Sequence, residues 1–481
     1  MKLTKSFILY TLLLPGLSGC KKFVDIDPPV TQLTEGNVYS SDVTAIATIT
    51  GIYTNLSSSV IGGNAGLSMK GGLAADEFTL YSGVTDNELI AHYQNNLLST
   101  AAQSFGGGIW RDFYQFIFRC NAAIEGLETS QSLTPAVQKQ LLGEAKFLRA
   151  FFYFYLVNYY GDACLALSTD PQINGLLSRS PVSAAYTQII TDLKDAKELL
   201  STNYLDGTLL KTTVDKVRPT KLAASALLAR AYLYNKDYAL AKEEATTVIS
   251  ASPNLPTLDN AFLMNSAEAI WQLLPVVTGH NTEDGWTFII RLTGPSNNTT
   301  GINTGNPVFL SPQILNAFQA GDQRRVKWVK SIVPTGSSTT YYFPYKYKSA
   351  TSNAPVTEYQ MVLRVGEQYL IRAEANAQLN LPNEAKVDLN VIRTRASLPN
   401  TMAGSQQEVL DSILQERRVE LFTEMSHRWF DLRRFGKIDE VMNVVTPAKA
   451  NGTPWRSYQQ LFPLPYTDLQ MNPNVSQNHG Y

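Results

Sequence analysis

The densest group of side chains able to do chemistry is Glu416, Arg417, Arg418, Glu420, Glu424, Arg428, Asp431, Arg433 and Arg434. Glu416, Glu420 and Glu424 recur at four-residue steps and share one helical face, with Arg428 four residues further on, so ion pairs can run along a helix. Paired carboxylates also serve glycosidases as acid and nucleophile. Carboxylates interleaved with arginine have depressed pKa values, however, which suits a structural network better than a general acid. His427 and Trp429 read as packed or network residues. No Gly-x-Ser-x-Gly, His-Glu-x-x-His or Cys-His arrangement occurs. Glu283-Asp284 are neighbours in a loop and read as solvated, not as two groups flanking one bond. The four His and three Cys show no metal-ligand spacing. The sequence therefore predicts no catalytic residue, no metal and no cofactor. The glycine runs Gly62-Gly63, Gly71-Gly72 and Gly106-Gly107-Gly108 could cradle phosphate, but no Lys-Ser/Thr follows in nucleotide-binding spacing.

Binding chemistry is better represented. Aromatic residues make up 10% of the chain, more than packing demands. Trp286 sits in HNTEDGWTFII among polar loop residues, and sugar rings stack their C–H faces on such aromatics while neighbouring polar groups take the hydroxyls. The alternative is a loop aromatic pinned against the body. Trp110, Trp271, Trp429 and Trp455 read as core, and Trp328 as packing for a surface helix. With 40 Lys+Arg against 41 Asp+Glu, no basic excess favours nucleic acid.

The elements that must position these residues are mostly helical. Leu141–Leu167 is apolar around most of a helix and ends at Gly161-Asp162, where glycine can close it. Arg149-Ala150, Arg230-Ala231 and Arg372-Ala373 each precede a helix bearing Ala-Lys, at Ala196-Lys197, Ala241-Lys242 and Ala385-Lys386. Small residues at such points let helix pairs approach and stack. The predicted fold is mainly α, a tetratricopeptide-like helical solenoid with large loop-rich insertions carrying a few short strands. A first helix spans Asp42 to Asn55, capped by Ser41 or Asp42. Residues 58–108 read as loops. Residues 254–356 interrupt the repeat, with strand-like pieces at Ala269–Pro275 and Tyr341–Tyr347. Gln360–Leu379, Asn383–Arg395 and Gln406–Glu424 read as helices. Cys120 and Cys164 read as buried free thiols, with a bridge permitted and not indicated.

At the N-terminus, Lys2 and Lys5 precede an apolar run that ends in Leu17-Ser18-Gly19-Cys20, the pattern of a bacterial lipoprotein signal. Residues 1–19 are then a signal peptide, Cys20 the acylated anchor, and residues 20–40 an extended tether.

Several blocks carry a family resemblance: GEAKFLRAFFYFYLVNYYGD, VLRVGEQYLIRAEA, LNVIRTRA, ILQERRVELFTE with HRWFDLRRFGK, and LFPLPYTDLQMNPNVSQNHGY. In this order, from Cys20 to Tyr481, the sequence resembles the SusD/RagB family of surface nutrient-binding lipoproteins. The resemblance implies a single body over 41–481, with helical repeats at about 109–253 and 357–435 and ligand-binding insertions at about 58–108 and 254–356. It implies an outer-membrane, lipid-anchored protein facing the exterior, which captures oligosaccharide and acts as a lid on a SusC-like TonB-dependent transporter. Family glycan sites draw on the insertion and on the segment after the first helix. Here those supply Trp286, Tyr341 and Tyr342, and Asp76, Glu77, Phe78 and Tyr81. A peptide or other ligand fits the same role. A surface glycoside hydrolase or a pure scaffold fits the sequence less well.

Overall fold

The computed structural model describes residues 38–291, 302–334, 338–449 and 452–481. The signal, Cys20 and most of the tether lie outside the described residues. Helix α1 (Asp42–Asn55) starts where expected, because the Ser41 side chain accepts from Thr44 N–H.

The segment read as loops is more structured than its glycines suggested. It holds α2 (Leu67–Ala74), β1 (Phe78–Leu80) and α3 (Asn87–Tyr93). Gly71 sits inside α2 because a Cβ there would come 2.0 Å from Ser426 Oγ. The glycine serves close packing and not a turn.

The solenoid begins with α4 (Gly108–Thr129) and α5 (Pro135–Tyr160). Every residue of α5 from Phe147 to Val157 is buried, and Gly161 closes it at φ 74°. Then follow α6 (Val182–Leu199), α7 (Lys221–Tyr234) and α8 (Tyr238–Ala251). Residues 252–359 leave the solenoid through β2 (Ala269–Leu273), α9 (Glu283–Phe288), β3 (Val308–Leu310), β4 (Val329–Ile332) and β5 (Tyr341–Pro344). The chain returns through β6 (Gln360–Arg364) into α10 (Val365–Gln378), α11 (Pro382–Arg395), α12 (Gln406–Glu420), α13 (His427–Arg434), α14 (Ile438–Lys449) and α15 (Tyr466–Met471). From α4 to α8 each helix packs on the next, and α8 then packs directly on α10, so the helical stack continues across the insertion.

The first five residues of the expected helix 360–379 form a strand instead. β6 pairs antiparallel with β2, joining the two ends of the insertion, and both strands are wholly buried. The other strands pair as β1 with β3 and β4 with β5, both antiparallel.

The arginines of the repeated Arg-Ala pairs tie the stack together. Arg149 meets Asp192 at 2.6 Å and Arg372 meets Asp388 at 2.7 Å, each on the following helix. Arg230 reaches Glu367 of α10 at 2.6 Å and so links the two sides of the insertion. Trp328, expected near the surface, is fully buried and donates its indole N–H to Leu258 O at 2.9 Å. Cys120 and Cys164 are buried and free.

Candidate functional site

The charged cluster folds into the interior. Helix α12 stops at Glu420, and Thr423, Met425 and Ser426 take positive φ values, so Glu424 leaves the helical face it was expected to share. Glu420 accepts from Arg364 at 2.7 Å, from Arg324 at 2.9 Å and from Arg395. Burial alone would raise its pKa, but the three guanidiniums outweigh that and hold it well below the carboxylate range. Arg428 pairs with Asp76 at 2.8 Å and not with Glu424, which pairs with Arg364 at 2.8 Å.

Two residues expected to meet ligand belong to this interior. Asp76 is 2% exposed and is gripped by Arg428 and Arg418. Glu77 is equally buried, and its Oε1 accepts from Thr423 N–H at 3.0 Å. Their backbone leads into β1, and their side chains bind that strand to the turn between α12 and α13. Asp284, read as a solvated loop residue, is also buried. Its Oδ2 accepts from Ser68 and Gln360, at 3.1 and 2.8 Å, and burial raises its pKa to about 7. It lines a cavity of about 20 Å³, room for roughly one water, together with Lys346, Gln360 and Glu424.

The aromatic candidates divide between two faces. Tyr81 continues β1, with its N–H donating to Pro307 O at 2.7 Å, and β1 pairs Thr79 with Phe309 of β3. Phe309 in turn meets Tyr341 of β5 edge-on, with ring centres 5.0 Å apart. Tyr81, Phe309 and Tyr341 are all half-buried over a patch of Ile289, Ile290, Ile302 and Phe343. They form one aromatic face. Tyr342 points the other way, under the Arg325 guanidinium at 4.7 Å, because successive strand residues alternate sides.

Trp286 is half-buried near this face, but its ring is already occupied. His280 stacks on it with centres 3.8 Å apart, and the Arg291 guanidinium lies 3.9 Å from its centre. Two groups that close cannot share one face, so the indole is sandwiched. Arg291 is fixed by Ala350 O and Asn306 Oδ1, and His280 by Glu283 at 2.6 Å. Only the rim of Trp286 remains for a ligand. Phe309 was missed by the sequence reading, although Val308-Phe309-Leu310 alternates in burial as a strand with one outward residue does. Tyr345, also unflagged, lies between Lys330 and Lys348, whose ammonium groups stand 4.6 and 4.3 Å from its ring centre.

A separate hollow of about 370 Å³ between α4 and the α15 segment is lined by Trp110, Tyr114 and Phe118. Its polar groups Asn121, Asp468 and Asn472 already bond within the chain, whereas Asn174 Oδ1 is buried without a partner among the described residues.

Residues 317–481 match the model of the SusD family, and residues 23–233 match a second model described as starch-binding, associating with outer membrane. The chain belongs to the SusD family. SusD-like protein P25 of Formosa agariphila is 25% identical over 538 residues, covering 99% of either chain. Among solved structures, a SusD superfamily protein from Bacteroides vulgatus has a TM-score of 0.75 at 22% identity, covering 92% of this chain and 99% of that one. Surface glycan-binding protein A from Bacteroides uniformis has a TM-score of 0.74 at 20% identity, covering 91% and 99%. The structural likenesses show the SusD-like helical fold, and the description of the matching family supports an association with the outer membrane.

Proposed function

We propose that this SusD family chain is a cell-surface lipoprotein that binds oligosaccharide and does not turn it over. In this reading Cys20 carries the lipid anchor, the solenoid docks on a SusC-like TonB-dependent transporter, and the chain acts as its lid. The observation that carries the binding function is the face of Tyr81, Phe309 and Tyr341: three half-exposed rings held on paired strands outside the solenoid. Trp286 contributes at its rim. The starch-binding description of the matching family and the glycan-binding name of one structural relative support a sugar as the ligand. Ring contacts at about 0.5–1.5 kcal/mol each give modest affinity, since millimolar binding already needs about 4.1 kcal/mol. Weak capture serves a protein that hands its ligand to a transporter.

The test is calorimetric titration of a soluble form starting at Lys21 against neutral and charged oligosaccharides and peptides. Saturable heat with one glycan class, weakened about two- to tenfold in Tyr341→Ala, is the expected result. Binding of peptides alone would replace the sugar with a peptide nutrient, and release of free sugar would reject the binding-only reading.

A further inference from the structure

Lysines that lose their water on folding need acceptors, and two enclosed ammonium groups find them at helix C-termini. Lys346 donates to Glu420 O and Phe422 O at the end of α12, and Lys449 donates to Leu73 O and Ala75 O at the end of α2. A cation is favoured there by the helix dipole. Lys70 is the exception. It projects from α2, is 6% exposed, and has no hydrogen-bond or ion-pair partner among the described residues, while its Nζ still touches solvent.

Its Nζ faces the start of a helix instead. A Cβ built on Gly108, the first residue of α4, would lie 3.2 Å from it. The N–H groups of Gly108 and Ile109 have no acceptor among the described residues, whereas Trp110 N–H donates to Tyr160 Oη at 3.1 Å. An ammonium and the positive end of a 22-residue helix thus meet at one point, an arrangement that repels until an anion joins it. The neighbouring acids Glu88, Asp112 and Asp86 attract the ammonium through space, but none of them bonds to it. Glu88 is engaged by Gly106 N–H at 3.0 Å and His92 at 3.3 Å, and Asp112 is paired with Arg111. Two residues before Gly108, the Gly106 N–H already donates to a carboxylate oxygen, that of Glu88. Gly108 is half-buried, so solvent reaches the point.

We propose that Lys70 and the first turn of α4 form a binding site for an oxyanion, a carboxylate or sulfate group, either free or borne by an acidic sugar. The Gly106-Gly107-Gly108 run lacks a lysine of its own and takes one from α2. This site does not depend on the aromatic face or on the glycan reading, because its first probe is an inorganic ion.

The experiment titrates the full chain with sodium sulfate, with sodium chloride at matched ionic strength as the control. It follows thermal unfolding and, on glycine-labelled protein, the Gly108 amide resonance. Sulfate is expected to raise Tm saturably and to move Gly108, while chloride does neither. Lys70→Met should bind sulfate at least tenfold more weakly yet unfold at a higher temperature without anion, and Lys70→Arg should keep binding. Competition by glucuronate or a sulfated monosaccharide would support the ligand-borne group; sulfate binding without such competition would support the free ion. A Gly108 resonance that ignores sulfate in the unmodified chain overturns the proposal even if Lys70→Met fails to fold. So does a Lys70→Met variant of unchanged sulfate affinity.

Discussion

The ion-pair core around α12 and α13 and the aromatic face of the insertion both concentrate side chains that do chemistry elsewhere, and the fold handles them oppositely. In the core, Glu268, Glu420, Arg324 and Arg364 are each no more than 2% exposed, and each charge meets its opposite. In the insertion, Tyr81, Phe309 and Tyr341 stay half-buried on short strands. Matched, dry charges fix the solenoid to the strand ends, and the guanidiniums around Glu420 hold its carboxyl well below the usual range. Rings left partly uncovered at the edge of a rigid body retain surface for a ligand. Burial, more than residue type, separates the structural cluster from the proposed binding face.

The comparison breaks most visibly on the charged side. Glu420→Gln leaves Arg324, Arg364 and Arg395 facing one fewer acid in the interior, and a loss of about 3–5 kcal/mol in denaturant unfolding is expected. Binding by the molecules that remain folded should not change. If glycan affinity fell while stability held, the cluster would belong to the site after all.

A smaller effect marks the junction of the two regions, where Asp284 of α9 is held by Ser68 and Gln360. Its pKa is raised to about 7, so the folded state favours the neutral acid. Its contribution is therefore fully present below its unfolded value near 4 and is lost as pH rises through 7. Between pH 5 and 8, Asp284→Asn should gain about 2–3 kcal/mol relative to the unmodified chain. Parallel unfolding curves for the two proteins across that range would place the Asp284 pKa back near its ordinary value.

Local chemistry made much of this fold legible in the sequence. The Ser41 cap and the close of α5 at Gly161 each depend on residues next to the element they end, and the Arg-Ala pairs marked real contacts between stacked helices. What stayed hidden depends on distant partners. Gln360–Arg364 is a strand because Ala269–Leu273 offers a ladder, and Gly71 belongs in a helix because Ser426 packs onto it. Asp76 and Glu77 gave no local sign of burial either, since Arg428, Arg418 and Thr423 come from the far end of the chain. In the site itself, Tyr81 and Tyr341 were flagged by type, while Phe309 was missed because a single outward residue between two buried ones is a weak pattern. The covering of Trp286 was the more readable omission, because His280 and Arg291 flank it closely in sequence.

The finest test uses two adjacent tyrosines. Tyr341 pairs across β4 and β5 with Ile332, and Tyr342 with Ser331, so their side chains stand on opposite faces of one strand. Tyr341 meets Phe309 on the aromatic face, whereas Tyr342 packs toward the inner cluster beneath Arg325. Tyr341→Ala should cost about 0.5–1.5 kcal/mol of glycan binding, and Tyr342→Ala close to none. Trp286→Ala should fall between them, because His280 and Arg291 already use both faces of its ring. Calorimetry on the three variants decides the ranking. Equal losses at Tyr341 and Tyr342 would mean that ligand affinity tracks strand stability and not the outward face; a loss at Trp286 larger than at Tyr341 would require His280 or Arg291 to leave the indole when sugar arrives.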